Sequence, residues 1–386
     1  MNEFTFSYPT KVYFGERAAA KNLPGELAKV GKTVMLAYGG GSIKRNGIYD
    51  EMMELLKNAG KTVVEFGGIM PNPTYTKVQE GAEIARKYHV DFILAVGGGS
   101  VSDCCKIVAC QAVTEEDIWE MEFTEHKFPT KALPMGVIVT ASGTGSEQNA
   151  GAVITHEEKK LKAGVFGAHA DFAVLDPEYT RTVPLGQVIS GAFDTLSHAM
   201  ETYFGKPEEI TISDEISEAV MRNTIRNIRA VVKKPEDMFA RGELMWDSAM
   251  AENGILKIGK VTDFQAHQIE HQLGAYTDCN HGQGLAVIHP VLYRHIYKSG
   301  VEKFARFAKE VWGLCDKEKS QEELALAGVE ALADFIREIG LPTTLTEMGI
   351  TDKGMLRDVA ESSNITAGCC KKLDADEIYD ILMECL

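Results

Sequence analysis

The first half of the chain alternates short apolar runs with segments of helical spacing. KVYFG (11–15), KTVMLAY (32–38), KTVVEFGG (61–68), VDFILAV (90–96), MGVIVTA (135–141) and FAVLDP (172–177) have strand length and are rich in apolar and β-branched residues. Between them, IYDEMMELLKNAG (48–60) and YTKVQEGAEIARKYH (75–89) space their apolar residues as helices do. Strands alternating with helices over short links predict a parallel sheet covered on both faces. After Pro184 no run reads as a strand. Helical patterns follow one another at 186–204, 213–232, 234–256, 263–284, 285–297, 301–315, 320–339 and 373–384. The expectation is an α/β domain over residues 1–184 and an all-α domain over 185–386.

Three of the predicted strands end in small residues. Gly39-Gly40-Gly41-Ser42, Gly97-Gly98-Gly99-Ser100 and the run from Thr140 through Gly143 and Thr144 to Ser146 all follow strands. A glycine turn that opens a helix presents bare N–H groups and the positive end of the helix dipole to an anion. A triple glycine also serves as a plain tight turn, and none of these is the GxGxxG fingerprint. Three such loops on one sheet edge nevertheless suit a long phosphate-bearing ligand, which open α/β sheets bind outside the carboxyl ends of their strands. A dinucleotide is the expected cofactor. The strand ending at Tyr38 lacks the acid that usually holds the ribose hydroxyls in NAD sites. Ser42 and Lys44 stand there instead, so the expectation leans to NADP(H) over NAD(H).

The helical half carries the second chemistry. His267 and His271 are four apart on one helical face, and His281 precedes Gly-Gln-Gly. Asp194 and His198 form another i, i+4 pair in an apolar segment, where a carboxylate is costly to bury unpartnered. Two helices and a helix start could enclose a divalent cation with one oxygen and three nitrogens. That donor set, free of thiolate, suits Fe²⁺, Zn²⁺, Mn²⁺ or Ni²⁺. Glu201, three residues after His198, reads as a solvated surface glutamate, with orientation of a ligand imidazole as the alternative.

The totals fit an ordinary two-domain protein: 386 residues, 45% hydrophobic, 25% charged. A net charge of −16 disfavours nucleic acid and anionic lipid as partners. No apolar run approaches a membrane span, and MNEFTFSYPTKVYFG has no secretion pattern. Eight cysteines without a CxxC pair point to reduced thiols and a cytoplasmic location.

Taken in order, PNPT (71–74), GGGSVSDCCK (97–106), TASGTGSE (140–147), the DxxxH of Asp194 and His198, and HxxxH followed by HGxGLA (267–286) resemble the iron-dependent, group III alcohol dehydrogenases. The likeness is nearest to butanol dehydrogenases and NADPH-dependent aldehyde reductases and covers essentially the whole chain. It implies a dinucleotide-binding α/β domain, a helical metal-binding domain, catalysis in the cleft between them, and a homodimer. It implies Fe²⁺, with Zn²⁺ as the alternative, on Asp194, His198, His267 and His281. His271 becomes a non-ligand near nicotinamide and substrate, the candidate proton relay or a positioning residue. Gly98, Gly99, Ser100 and Asp103 would hold the pyrophosphate and nearby groups. Thr140, Thr144, Asn149 and Lys162 would line the groove, with Asn72 at the adenosine end. Gly40 and Ser42 match the stretch that meets the 2′-phosphate in NADPH-preferring members. Cys105 and Thr195 depart from the family's frequent alanines.

The expected reaction interconverts small primary alcohols and aldehydes of the butanol and butanal kind. The rivals are glycerol dehydrogenase-like polyol oxidation, a dehydroquinate synthase-like lyase, and a metal that only staples helices. A lyase would need a dense basic cluster at the metal motifs, and a staple would leave the glycine loops without a purpose.

Overall fold

The computed structural model describes residues 2–315 and 318–386. It divides into one unit over Ser7–Val183 and another that starts at Pro184; Phe6 and the residues just before it cluster with the second unit. The sequence pattern did not indicate that crossing, because an irregular extended segment carries no periodic signal. Phe6 packs beside Gly254, where an added Cβ would lie 3.6 Å from its ring.

The first unit contains β1 (Lys11–Phe14), α1 (Ala18–Leu27), β2 (Thr33–Tyr38), α2 (Ser42–Arg45), α3 (Ile48–Asn58), β3 (Thr62–Phe66), α4 (Tyr75–Lys87), β4 (Phe92–Gly97), α5 (Gly99–Gln111), α6 (Ile118–Phe123), β5 (Met135–Val139), β6 (Gly151–His156), β7 (Leu161–Phe166) and β8 (Phe172–Leu175). Six strands form one parallel sheet in the order β1-β8-β5-β4-β2-β3. β4, β5 and β8 are buried at every position, as expected of strands covered on both faces. Tyr38 pairs with Val96, and Gly97 with Val139. That register sends the loops after β2, β4 and β5 out of one edge. The strand order reverses between β2 and β4, which is where doubly wound sheets open a ligand crevice.

The antiparallel hairpin β6–β7, with Thr155 opposite Lys162, was not expected. Its HEEKKLK turn reads as a charged loop, and its apolar positions find their partners in α5 and α6. Helix α1 was missed too, since it contains Pro24 and Gly25.

The second unit contains α7 (Leu185–Tyr203), α8 (Ile212–Lys233), α9 (Met238–Glu252), α10 (Gln265–Thr277), α11 (His281–Ile296), α12 (Val301–Glu310), α13 (Gln321–Glu338), α14 (Lys353–Ser362) and α15 (Ala375–Glu384). Among the described residues it has no strand, only an isolated bridge between Lys206 and Val261. α8 and α13 start with capping boxes, Thr211 with Asp214 and Ser320 with Glu323. The stretch 263–284 is broken at Asp278, whose positive φ of 52° ends α10. Asn280 then caps a new helix by accepting the Gln283 N–H at 3.2 Å, so His281 is the first residue of α11. α14 went unpredicted. Asp352 starts it, accepting N–H groups from Gly354 and Met355.

Candidate metal centre and nucleotide loops

α7 presents Asp194 and His198 on one face, α10 presents His267 and His271, and α11 delivers His281 from its first turn. Asp194 Oδ1 lies 3.3 Å from His267 Nε2 and 3.4 Å from His281 Nε2. The three residues each offer a ligand atom within 4.8 Å of the others. His198 lies beside that group and not within it: its Nδ1 is 3.8 Å from Asp194 Oδ1, and its ring stacks on His267 at 4.4 Å between centroids. His271 borders the group, 5.6 Å from the His281 ring and 5.9 Å from the His267 ring.

The Nδ1 sides of the two central imidazoles face carboxylates. His267 Nδ1 donates to Glu201, and His281 Nδ1 donates to Glu270. Fixing the proton on Nδ1 leaves the Nε2 lone pairs for a cation, the arrangement metal-binding histidines need. Glu201 is 7% exposed and also accepts the Ala266 N–H at 2.6 Å. The expectation of a solvated surface glutamate is therefore wrong: Glu201 lies one turn beyond His198 on the buried face of α7, and it clamps the first turn of α10. Glu270 was missed altogether. It is fully buried on α10 and packs where a Cβ on Gly284 would lie 2.8 Å from its Cγ. A Cβ on Gly282 would meet the Ser190 carbonyl at 2.2 Å, so the HGxG spacing lets α11 approach both α7 and α10.

Without an ion, protons on the imidazoles offset the buried carboxylates, and a divalent cation would displace them from the Nε2 atoms. Burial opposes the charge on Asp194, yet His198, His281 and His267 hold its carboxyl well below the usual range. Burial likewise opposes a charged His267, but Glu201 and Asp194 push it up to about 10. His281 is raised in the same way, against burial, by Glu270 and Asp194. His198, in contrast, is lowered by burial, and its buried Nδ1 has no hydrogen-bond partner among the described residues. Carboxylates, Nε2 lone pairs and an orphaned nitrogen together fit a divalent cation. Behind them, Ser197 Oγ bonds His289 Nε2 at 2.6 Å, and burial takes His289 down to about 4.

The glycine-rich loops of the first unit are built differently. Gly98 caps α5, and a Cβ on Gly99 would lie 2.3 Å from Thr144 Oγ1, so the 140–146 loop rests on the start of α5. Thr140 N–H bonds Gly97 O at 2.9 Å. Asp103 is buried and accepts from Ser146 Oγ and from the Val153 N–H at 2.9 Å, tying α5 to the hairpin. The fully buried Lys106 donates to Gly151 O at 2.6 Å and to Asn149 Oδ1 at 3.2 Å. Lys162 is buried within reach of the Asp103 charge. Asn72 has a φ of 51° and precedes Pro73, whose carbonyl accepts the Thr155 N–H at 2.9 Å. Ser100 lies in the first turn of α5, half-buried, while Gly40 and Ser42 are exposed. Beside them the structure adds a residue that sequence reasoning missed. Glu65 on β3 accepts from Tyr38 at 2.6 Å, Tyr49 at 2.9 Å and Lys44 at 3.1 Å.

Two family models cover almost the whole chain: "Iron-containing alcohol dehydrogenase" matches residues 9–177, and "Fe-containing alcohol dehydrogenase family, C-terminal" matches residues 188–386. The chain belongs to the iron-containing alcohol dehydrogenase family. Similar members of that family include NADH-dependent butanol dehydrogenase A of Clostridium acetobutylicum, 39% identical over 99% of both chains. Another is the NADPH-dependent aldehyde reductase YqhD of Escherichia coli, 36% identical over 91% of this chain and 90% of that one. Among solved structures, NADH-dependent butanol dehydrogenase A of Thermotoga maritima superposes with a TM-score of 0.93 at 35% identity, covering 100% of this chain and 99% of the other. In the iron-containing alcohol dehydrogenases named here, the nucleotide is NADH in two and NADPH in one.

Proposed function

We propose that the chain is an NAD(P)H-linked alcohol dehydrogenase or aldehyde reductase for small primary alcohols and aldehydes, butanol and butanal among them. The observation that carries this reading is the approach of His267 and His281 to one Asp194 oxygen, at 3.3 and 3.4 Å, with each imidazole's far nitrogen on a buried carboxylate. Asp194, His198, His267 and His281 would hold the metal, Fe²⁺ or alternatively Zn²⁺. The metal would supply Lewis acidity toward a carbonyl oxygen, and the reduced nicotinamide would be the hydride source.

The chain's own residues do the rest. Glu201 and Glu270 fix the tautomers of His267 and His281 and hold the ring planes. Gly98, Gly99 and Ser100 offer N–H groups to the pyrophosphate. Asp103, Thr140, Thr144, Asn149 and Lys162 shape the groove, and Asn72 meets the adenosine end. His271 handles the proton that the product oxygen gains. For the nucleotide, Ser42 and Lys44 support NADP(H) over NAD(H), while Glu65 shares the Lys44 ammonium and moderates that preference. Family likeness supports a homodimer, and the reduced-thiol pattern of the cysteines supports a cytoplasmic location. The lyase alternative gains nothing from the surroundings, where Glu201, Glu270 and Glu252 outnumber Lys257 around the imidazoles.

The test is metal analysis of anaerobically purified protein, then an aldehyde panel with NADPH and NADH. Stoichiometric NADPH oxidation by butanal, abolished by a chelator and restored by Fe²⁺, supports the reading; metal-bound protein that oxidises neither nucleotide with any aldehyde overturns it. His271→Ala should retain metal and slow turnover. Loss of metal in that variant would make His271 a ligand.

A further inference from the structure

Two pairs of adjacent cysteines lie outside the chemistry described so far, and they differ. Cys104 and Cys105 sit within α5, both fully buried. Successive helical side chains diverge by about 100°, and burial pushes the Cys104 thiol up to about 12. Cys369 and Cys370 lie in the irregular segment between α14 and α15, with their sulfurs 3.9 Å apart. Cys370 is half-buried and lines a cavity of about 210 Å³ together with Lys206, Glu208, Lys303 and Phe304. Gly300 makes the room: a Cβ there would lie 3.2 Å from Cys370 Sγ.

The geometry points to a vicinal dithiol site at Cys369–Cys370 that chelates a soft, thiophilic ion. Two thiolates about 2.3 Å from one tetrahedral ion stand roughly 3.8 Å apart, close to the separation found. The same pair suits a disulfide poorly, because adjacent Cα atoms sit about 3.8 Å apart, short of the usual disulfide span. The backbone is already fixed. The Cys369 N–H donates to Asp263 at 3.0 Å, the Gly368 carbonyl accepts from Lys206 N–H at 3.0 Å, and a Cβ on Gly368 would strike the Thr262 backbone at 2.3 Å. The thiol hydrogen bond from Cys369 also lowers Cys370 below the ordinary thiol range, so one thiolate is ready first. The site does not depend on the proposed reaction.

Phenylarsine oxide is a suitable probe. Its arsenic takes two thiolates: two As–S bonds form, the arsenic–oxygen bond is lost, and both thiol protons leave with that oxygen as water. The full-length protein would be treated with one equivalent in excess monothiol and read by intact mass and peptide mapping. The expected result is one phenylarsenic adduct per chain, bridging 369 and 370 and released by dithiothreitol. Cys370→Ser and Cys369→Ser should each weaken capture at least tenfold, and Cys315→Ser should leave it unchanged. Circular dichroism checks that the variants fold, and adduct mapping in the unsubstituted protein decides the matter if they do not. No adduct, or an adduct on any other cysteine, overturns the assignment.

Discussion

The candidate metal centre on α7, α10 and α11 is assembled from side chains, with its two central imidazoles held by carboxylates behind them. His267 rests on Glu201, His281 on Glu270, and both turn toward Asp194. The loops after β2, β4 and β5 are made of backbone and small residues, and their shape comes from what glycine leaves out, as where Gly99 admits Thr144. The difference teaches what each chemistry demands. A divalent ion needs a few donors fixed in direction and tautomer. A pyrophosphate needs close approach to N–H groups, which any Cβ would block.

The comparison breaks first at the ligands. His267→Ala should lose bound metal and turnover together, read by metal analysis and butanal reduction; retained metal would remove the helical centre from the chemistry. The carboxylates behind the ligands come next. Glu201→Gln and Glu270→Gln should each weaken metal affinity by roughly 10–100-fold while leaving nucleotide binding alone, measured by competition with a chelator. An affinity unchanged in both variants would show that the short contacts orient nothing.

On the glycine side, Gly99→Ala should cost about 1–3 kcal/mol of stability through the Thr144 clash and weaken NADPH binding, with metal content intact. Thermal melts and nucleotide titration read the two effects, and unaltered NADPH affinity would count against the loop.

A third kind of site sharpens the contrast. Asp247 is buried like Asp194 but has Asn223 and Thr224 as partners instead of imidazoles, and burial pushes its carboxyl up to about 7. The folded chain therefore keeps a proton there that the unfolded chain releases near pH 4. Stability should fall as pH rises from about 4 to about 7, by up to about 4 kcal/mol from this group. Asp247→Asn should flatten that slope in denaturant melts taken at pH 5 and pH 8; an identical slope would refute the assignment.

The smallest effects belong to nucleotide choice. Ser42→Ala should weaken NADPH more than NADH. Glu65→Gln, which releases the half-exposed Lys44, should shift preference toward NADPH by at most about fivefold. Equal changes for both nucleotides would remove the 2′-phosphate argument.

The sequence by itself determined the fold class and named the candidate donors. Strand-length apolar runs alternating with helical segments read as a covered parallel sheet, and the pairs Asp194/His198 and His267/His271 stand out by i, i+4 spacing because a helix turn is a local property, while His281 stands out by its HGxG motif. The β6–β7 hairpin, α1 and α14 escaped because their signals are broken by charge, proline or glycine. What only the tertiary structure decided is the layer behind the donors. Glu201 shares a helical face with His198, yet the same spacing describes a solvated glutamate; only the packing of α10 against α7 buries it on His267. Glu270, Glu65 and the Cys369–Cys370 site likewise depend on which distant segment arrives beside them. Burial and partner choice are long-range quantities, and a local pattern of residues does not contain them.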